Sequence, residues 1–96
     1  MFIVTVVFVV KPQHLEQFSA RVRQQAKDSV EREADCHRFD VASDIADPCT
    51  IFLYEIYSNE QAFEDHLASD HFKSFNVATL DWVESKSVNR WSGPWG

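Results

Sequence analysis

Apolar residues fill almost every position at the start of the chain. Only Thr5 interrupts the run from Phe2 to Val10, whereas a strand with one face in water would alternate apolar and polar residues. Lys11 and Pro12 end the run, and Pro12 suits the first turn of a helix. The pattern predicts an N-terminal strand that is covered on both faces.

A second pattern, with apolar residues three and four positions apart, follows this strand. It consists of Leu15, Phe18, Val22, Ala26 and Val30. Such spacing predicts an amphipathic helix over about residues 13–33. The other positions mix acidic and basic side chains, Glu33 among them, and are interpreted as a solvated helix face.

Two strand-like segments occupy the middle of the chain. Residues 37–43 and 49–57 are joined by the turn-rich segment 44–48, which predicts a β-hairpin. Folding the hairpin about Ala46 sets the register. The pairs predicted to lie opposite each other are Phe39 with Leu53, Val41 with Ile51, His37 with Glu55, Cys36 with Ile56, and Ser43 with Cys49.

Helix-capping residues mark two helices in the last third of the chain. Asn59 is a good N-cap for a helix over residues 60–66, and Ser69 for a second helix over residues 70–83. A last strand is predicted over residues 87–91.

The predicted order is strand, helix, strand, strand, helix pair, strand. This is the α+β, ferredoxin-like βαββαβ arrangement, with an antiparallel sheet and helices on one face. Because the helices leave the second face of an apolar sheet open, we expect a homodimer that packs through that face.

Composition narrows the class of protein. Ninety-six residues with 45% hydrophobic content are enough for one domain, residues 1–96. The net charge of −6 argues against nucleic-acid binding, and no apolar segment is long enough to cross a membrane. Two cysteines without metal-ligand spacing suit a reducing compartment, so we expect a cytoplasmic protein with structural thiols and no metal.

The segment from residue 36 to residue 75 resembles a known family. The matching residues are Cys36-His37-Arg38-Phe39-Asp40-Val41, Asp47-Pro48, Phe52-Leu53-Tyr54-Glu55-Ile56-Tyr57, and His66 with Ser69, His71 and Phe72. They resemble the antibiotic biosynthesis monooxygenase domain of the dimeric α/β-barrel superfamily. The resemblance implies a dimer, a pocket between the helices and the sheet, and oxidation of acidic small molecules such as quinols without a cofactor. The chain also looks like small proteins related to the isomerase that degrades phosphorylated autoinducer-2.

Two histidines are the first candidates for chemistry. His66 and His71 lie in aromatic surroundings, and imidazole titrates near neutrality, which suits a base or a substrate hydrogen-bonder. On one continuous helix the five-residue spacing would separate them by about 140°. A helix break at Ser69 would let them converge on one pocket. The alternative is that each ring serves only packing and backbone hydrogen bonding.

Other candidates surround them. Glu55 could orient a histidine or hold a substrate hydroxyl, and Tyr57 could donate to a developing oxyanion. His37 is a candidate for the pocket rim and Arg38 for an anion anchor, although each could be a structural partner instead. The candidate pocket walls are Phe39, Phe63 and Phe72.

Three functions remain open at this point. A cofactor-independent monooxygenase and an isomerase of a small phosphorylated carbonyl compound both begin with proton abstraction. A dimeric metabolite-binding protein would need no base, and would have both imidazoles satisfied by protein groups. An isomerase would need a cation, such as Arg38 or Lys73, at its pocket.

Overall fold

The predicted element order is present in the computed structural model, which describes residues 1–96. The strands are β1 (Phe2–Val10), β2 (Cys36–Ser43), β3 (Thr50–Tyr57) and β4 (Val83–Ser92), and the helices are α1 (Leu15–Arg32), α2 (Glu60–Ala68) and α3 (Asp70–Thr79). All strand pairs are antiparallel. The ferredoxin-like α+β prediction is confirmed. None of the helices is both long and apolar enough to cross a membrane.

The central position of β1 explains its uninterrupted apolar sequence. The strand order is β2-β3-β1-β4, so β1 has a neighbour on each side. Val4, Val6 and Phe8 point to the helix-covered face and are buried. Ile3 points to the opposite face and is also buried, since neighbouring strands shield it. The helix-covered face of β1 is therefore fully removed from water, whereas Thr5, Val7 and Val9 on the opposite face are only half-buried.

One end of the helix layer is an aromatic core. The ring centroids of Phe8 and Phe18 lie 5.0 Å apart, and those of Phe18 and Phe75 lie 6.1 Å apart. The contacts join β1, α1 and α3, and tilted or edge-on rings at these distances are favourable. This cluster fixes α1 and α3 against the sheet.

The buried face of α1 differs from the predicted one in its second half. Phe18 and Val22 are fully buried as predicted, but the next buried residues are Gln25 and Ser29, while Val30 is 46% exposed. Each four-residue step turns a helix about 40° past a full revolution. The apolar series therefore rotates off the buried face after Val22, and polar side chains take its place.

The hairpin register is two residues away from the prediction. Phe39 lies opposite Glu55, and Val41 opposite Leu53. The carboxylate of Asp47 accepts hydrogen bonds from the Cys49 amide and the Thr50 hydroxyl, which moves the centre of the turn from residue 46 to residue 47. A shift of two preserves which side chains share a face. The predicted faces are correct although the predicted partners are wrong.

The same shift and a bulge change the partners at the hairpin's ends. Cys36 lies opposite Tyr57, and Ser43 lies opposite Ile51. His37 falls in the irregularity between Cys36 and Arg38, so it has no partner opposite it. Both cysteines are free thiols.

The two helix caps match the prediction, but the end of the chain does not. The side chains of Asn59 and Ser69 accept hydrogen bonds from the first turns of α2 and α3. Helix α3 ends at Thr79, and β4 begins at Val83, well before the predicted start. The reason is that β4 pairs with the full length of β1, although its sequence is too polar to show a strand pattern.

Candidate functional site

A small cavity lies between the sheet and the three helices. Its volume is about 40 Å³, and nine of its thirteen lining residues are hydrophobic. The predicted site residues that line it are Phe39, Glu55, Phe63, His66 and Phe72. At this size it has room for only a few water molecules. The cavity is therefore an apolar space with a small number of polar groups.

His66 is held from behind by a carboxylate. The ring is 2% exposed, and Nδ1 lies 2.8 Å from Oε2 of Glu33. A carboxylate oxygen only accepts hydrogen bonds, so Nδ1 donates its proton to Glu33 and Nε2 is the basic nitrogen of the neutral ring. No protein group hydrogen-bonds Nε2, and the ring lines the cavity. The basic nitrogen is thus available to a ligand.

Aromatic rings fix the plane of His66. Its centroid lies 5.4 Å from that of Tyr57, 6.1 Å from that of Phe63 and 5.0 Å from that of Phe72. Each ring comes from a different element, β3, α2 or α3. A side chain packed on several sides keeps one rotamer, and this is what a positioned proton acceptor requires.

The break between α2 and α3 brings the second histidine to the same carboxylate. The Ser69 hydroxyl donates to the His66 carbonyl oxygen and accepts from the Phe72 amide. His71 then begins α3 with its ring centroid 5.8 Å from that of His66. Its Nε2 lies 2.7 Å from Oε2 of Glu33. The imidazoles converge on Glu33, but His71 does not line the cavity.

Glu55 is a buried carboxyl group on the sheet side of the cavity. Burial raises its pKa from the ordinary 4.5 to about 7, and the hydrogen bond from Tyr57 opposes the shift. The Tyr57 hydroxyl donates to Oε1 of Glu55 at 2.6 Å. Burial, followed by the neighbouring Glu55 charge, raises the pKa of Tyr57. The phenol is committed to Glu55 and does not line the cavity.

Two predicted site residues lie away from the cavity. His37 is exposed, with Nε2 2.6 Å from the Ser58 hydroxyl. Arg38 is also exposed and forms an ion pair with Asp40. Both side chains therefore have structural partners, which is the alternative role that the sequence analysis gave for each of them.

Sequence reasoning missed three polar residues of this region. Gln25 and Lys86 line the cavity, and Glu33 joins the two histidines. Burial lowers the pKa of the Lys86 ammonium, while the charge of Glu55 opposes this shift. For Gln25 and Glu33 the available signal was helical spacing, because they continue the three- and four-residue series from Val22. No pattern marked Lys86.

A nearby thiol reports the electrostatics of the interior. Cys36 is buried, and its pKa is raised to about 12 by burial first, and then by Glu33 and Glu55. A thiolate at this position is strongly disfavoured. Burial and the neighbouring carboxylates therefore keep this thiol in its neutral form.

The comparison with protein families is decisive for classification. A model of the family described as "Antibiotic biosynthesis monooxygenase" matches residues 1–78. The chain belongs to this family. The match extends from β1 through most of α3 and includes every polar residue of the site except Lys86. No curated protein matches the chain in sequence.

Solved structures resemble this chain over nearly its whole length. A candidate antibiotic biosynthesis monooxygenase from Nitrosomonas europaea is 26% identical, with a TM-score of 0.92 over 99% of this chain and 100% of its own. A similarly described Deinococcus radiodurans protein is 18% identical, with a TM-score of 0.91 over 100% and 95%. A conserved Methanosarcina mazei protein is 19% identical, with a TM-score of 0.86 over 97% and 92%. The last two show the fold alone.

Three polar side chains can take part in chemistry in the cavity of this member of the antibiotic biosynthesis monooxygenase family. His66 offers a basic nitrogen, Glu55 a carboxyl group that titrates near neutrality, and Lys86 a cation. A base within an apolar space can remove a proton, and a cation or a neutral carboxyl group can stabilise the resulting anion. Proton abstraction from an acidic small molecule is the chemistry that these groups support.

Proposed function

We propose that this protein is a cofactor-independent monooxygenase that oxidises a quinol or similar acidic aromatic molecule with O₂. The observation that carries the proposal is the hydrogen bonding of the His66 ring and its position at the cavity. Its Nδ1 is held by Glu33 at 2.8 Å, while its Nε2 has no protein partner and its ring lines an apolar cavity. Family membership supplies the reaction class.

The proposed reaction begins with transfer of the substrate's acidic proton to Nε2 of His66. Glu33 is a positioning residue that holds the correct tautomer and faces the imidazolium that forms. Lys86 and the Glu55 carboxyl group stabilise the substrate anion by charge and hydrogen bonding. The anion transfers an electron to O₂, and the two radicals combine in a C–O bond to a peroxide, which takes back the proton held by His66. Loss of the second hydrogen from that carbon, as a proton, breaks the O–O bond and leaves a carbonyl group. The departing hydroxide takes up this proton and leaves as water, so the substrate itself provides the electrons.

Substrate entry requires side chains to move. The cavity of about 40 Å³ is far smaller than pockets for drug-sized ligands, which begin at about 300 Å³. Phe72 and Lys86 are only partly covered, and the Lys86 ammonium lies 5.6 Å from the Phe72 ring centroid. Displacement of this pair would enlarge the cavity from the β4 side without disturbing the aromatic core.

The alternative functions have less support. An isomerase of a phosphorylated compound needs a cationic anchor, yet Arg38 and Lys73 are exposed and do not line the cavity. Lys86 is the one lysine there. A binding protein without turnover would have both imidazoles satisfied by protein groups, and Nε2 of His66 is not.

Oxygen consumption by metal-stripped protein with a panel of quinols tests the proposal. We expect cofactor-free uptake in the wild type and a loss of about 10²–10⁴-fold in kcat for His66→Ala, the usual contribution of a general base. His14→Ala is the matched control, because His14 lies at the start of α1, outside the cavity. Uptake that survives in folded His66→Ala would remove His66 as the base.

Glu33→Gln tests the positioning role separately. We expect a smaller fall in kcat than in His66→Ala, with KM nearly unchanged, because Glu33 acts through the imidazole. Nitrogen-15 NMR of the His66 ring should report a change in the Nδ1–H tautomer population. An unchanged tautomer together with an unchanged kcat would contradict this role.

We further propose that the functional unit is a homodimer formed through the open face of the sheet. That face presents Phe52, which is 39% exposed, and Trp91, which is 55% exposed. Large apolar side chains exposed on one face of a sheet are typical of an interaction surface. The family is typically dimeric. A monomer mass by sedimentation equilibrium at micromolar concentration would remove this part of the proposal.

The proposal also assigns the protein to the cytoplasm. Cys36 and Cys49 are free thiols, which suits a reducing compartment. Fractionation of the native host's cells would test this assignment directly.

A further inference from the structure

The back of the His66 ring holds an unusual group of ligand atoms. Oε2 of Glu33 lies 2.8 Å from Nδ1 of His66 and 2.7 Å from Nε2 of His71. The three atoms all lie within 4.8 Å of one another. Two imidazole nitrogens and one carboxylate oxygen are therefore directed to one small volume by three different elements.

One of these atoms lacks a hydrogen bond although it is buried. The His71 side chain is 7% exposed, and its Nε2 has no hydrogen-bond partner. Oε2 of Glu33 lies only 2.7 Å away, but this contact does not meet hydrogen-bond geometry. A buried polar nitrogen without a partner is costly. A cation among the three atoms would give this nitrogen a partner.

We propose that Glu33, His66 and His71 bind a divalent transition-metal ion of the Zn²⁺ class. Two histidines and one glutamate are an established zinc ligand set, with bonds of about 2.0–2.2 Å and a fourth position left for water. Ligand atoms in such a site lie roughly 3.4 Å apart, so Oε2 of Glu33, now 2.8 and 2.7 Å from the two nitrogens, must move away from both. Glu33 is the C-cap residue of α1 and can move without breaking the helix.

The surroundings favour a cation and give it a route from solvent. A surface cleft reaches Glu33 and is also lined by Asp35 and Asp65. Carboxylates along such a cleft raise the local concentration of cations. A second cleft reaches His71, but it is lined by Arg21 and Arg32 as well as by Asp28 and Asp70, so the cleft at Glu33 is the one that favours a cation. The site is accessible from the surface and does not depend on the cavity on the opposite side of His66.

His71 also has the outer partner that metal-bound histidines usually have. The amide nitrogen of Gln25 lies 3.1 Å from Nδ1 of His71, and the amide oxygen of Gln25 is buried without a partner. A 180° rotation of the amide would place the oxygen against Nδ1, which would then donate its proton to it and leave the lone pair of Nε2 for the ion. In that orientation Gln25 would select the tautomer of His71 that can bind a metal.

Metal binding would change what His66 presents to the cavity. A neutral imidazole bound through Nδ1 carries its proton on Nε2, so the nitrogen facing the cavity becomes a donor instead of a base. Bound metal should therefore inhibit the oxidation. This consequence rests on the proposed function, whereas the metal site itself does not.

Zinc titration of the metal-stripped protein, without substrate, tests the site. We expect one ion per chain by calorimetry, and binding at least about tenfold weaker in Glu33→Gln and in His71→Ala. Glu31→Gln and His14→Ala are controls that remove an exposed carboxylate of α1 and a histidine outside the cluster. In the wild-type protein, nitrogen-15 NMR should show zinc-dependent shifts of the His66 and His71 rings but not of His14 and His37. The NMR readout needs no variant to fold.

The outcomes separate the two proposals. Zinc binding only at millimolar concentration, or equal binding by all variants, or shifts at His14 and His37 alone would overturn the metal site. One-to-one binding that perturbs His66 and His71 supports it, even in a protein that oxidises no quinol. Conversely, quinol oxidation without zinc binding would support the monooxygenase proposal and overturn the metal-site proposal.

Discussion

The buried face of α1 has two halves that are equally buried, but the side chains of the first half are apolar and those of the second half are polar. In the first half, Phe18 and Val22 are fully buried, and Phe18 packs against aromatic rings of β1 and α3. In the second half, Gln25 and Ser29 are as deeply buried, and Glu33 follows them at the helix end. The first half belongs to the apolar core, whereas the second half leads to His66 and His71.

This difference separates residues that stabilise the fold from residues that serve a site. Apolar burial contributes about 25 cal/mol for each Å² removed from water. Polar burial contributes little even when hydrogen bonds are made, and costs free energy when one is missing. The second half of the face retains unsatisfied atoms on Gln25 and His71. A helix selected for stability alone would continue with apolar residues, so the polar half indicates function.

The largest effect that we expect comes from the apolar half. Phe18→Ala should lower the free energy of unfolding by about 3–5 kcal/mol, because it leaves a cavity between rings that now interlock. Urea denaturation measures this directly. Val77→Ala, on the exposed side of α3, is the control and should stay within about 0.5 kcal/mol. A loss below about 1 kcal/mol for Phe18→Ala would mean that the aromatic cluster does not hold the helix layer.

The second effect is a pH dependence created by Glu55, a residue of β3 that lines the same cavity as Gln25 of the polar half. Glu55 has an ordinary pKa of 4.5, raised to about 7 in the folded protein, chiefly by burial. Between these two values the folded protein binds a proton that the unfolded chain releases. The Glu55 contribution to stability is therefore complete below about pH 4.5 and is lost as the pH rises through about 7.

Comparison of Glu55→Gln with the wild type isolates this contribution. The amide still accepts a hydrogen bond from Tyr57 but does not titrate. We expect the variant to gain stability relative to the wild type by on the order of 2–3 kcal/mol between pH 4.5 and pH 8. Urea denaturation across this range measures the difference. A difference that stays constant with pH would contradict the raised pKa.

The fold was largely predictable because its signals are local or periodic. The apolar run of β1, the caps Asn59 and Ser69, and the turn before β3 each act within a few residues. The register was two residues away from the prediction because the side chain of Asp47 organises the turn, and composition alone does not reveal which aspartate does so. The early start of β4 depends on pairing with β1, a partner roughly eighty residues away.

The site was only partly predictable because only some of its residues have a local signal in the sequence. His66 and Glu55 stood out as polar residues in apolar segments, and both line the cavity. Glu33 was assigned to a solvated face because it ends a charged segment, and only the packing of α2 and α3 against α1 brings histidines to it. Lys86 lies in a polar strand where one lysine resembles any other. Residues recruited from distant segments leave no local pattern.

The smallest effect that we expect is also the most informative about the difference between the apolar and polar halves of α1. Gln25→Met replaces a buried amide with an apolar side chain of similar length. The variant loses the contact with Nδ1 of His71 but also removes a buried oxygen that has no partner. These changes oppose each other, so the free energy of unfolding should change by no more than about 1 kcal/mol. Urea denaturation beside Phe18→Ala gives the comparison on one scale. If Gln25→Met instead cost as much as Phe18→Ala, the polar half would be as structural as the apolar half, and its chemistry would no longer indicate a site.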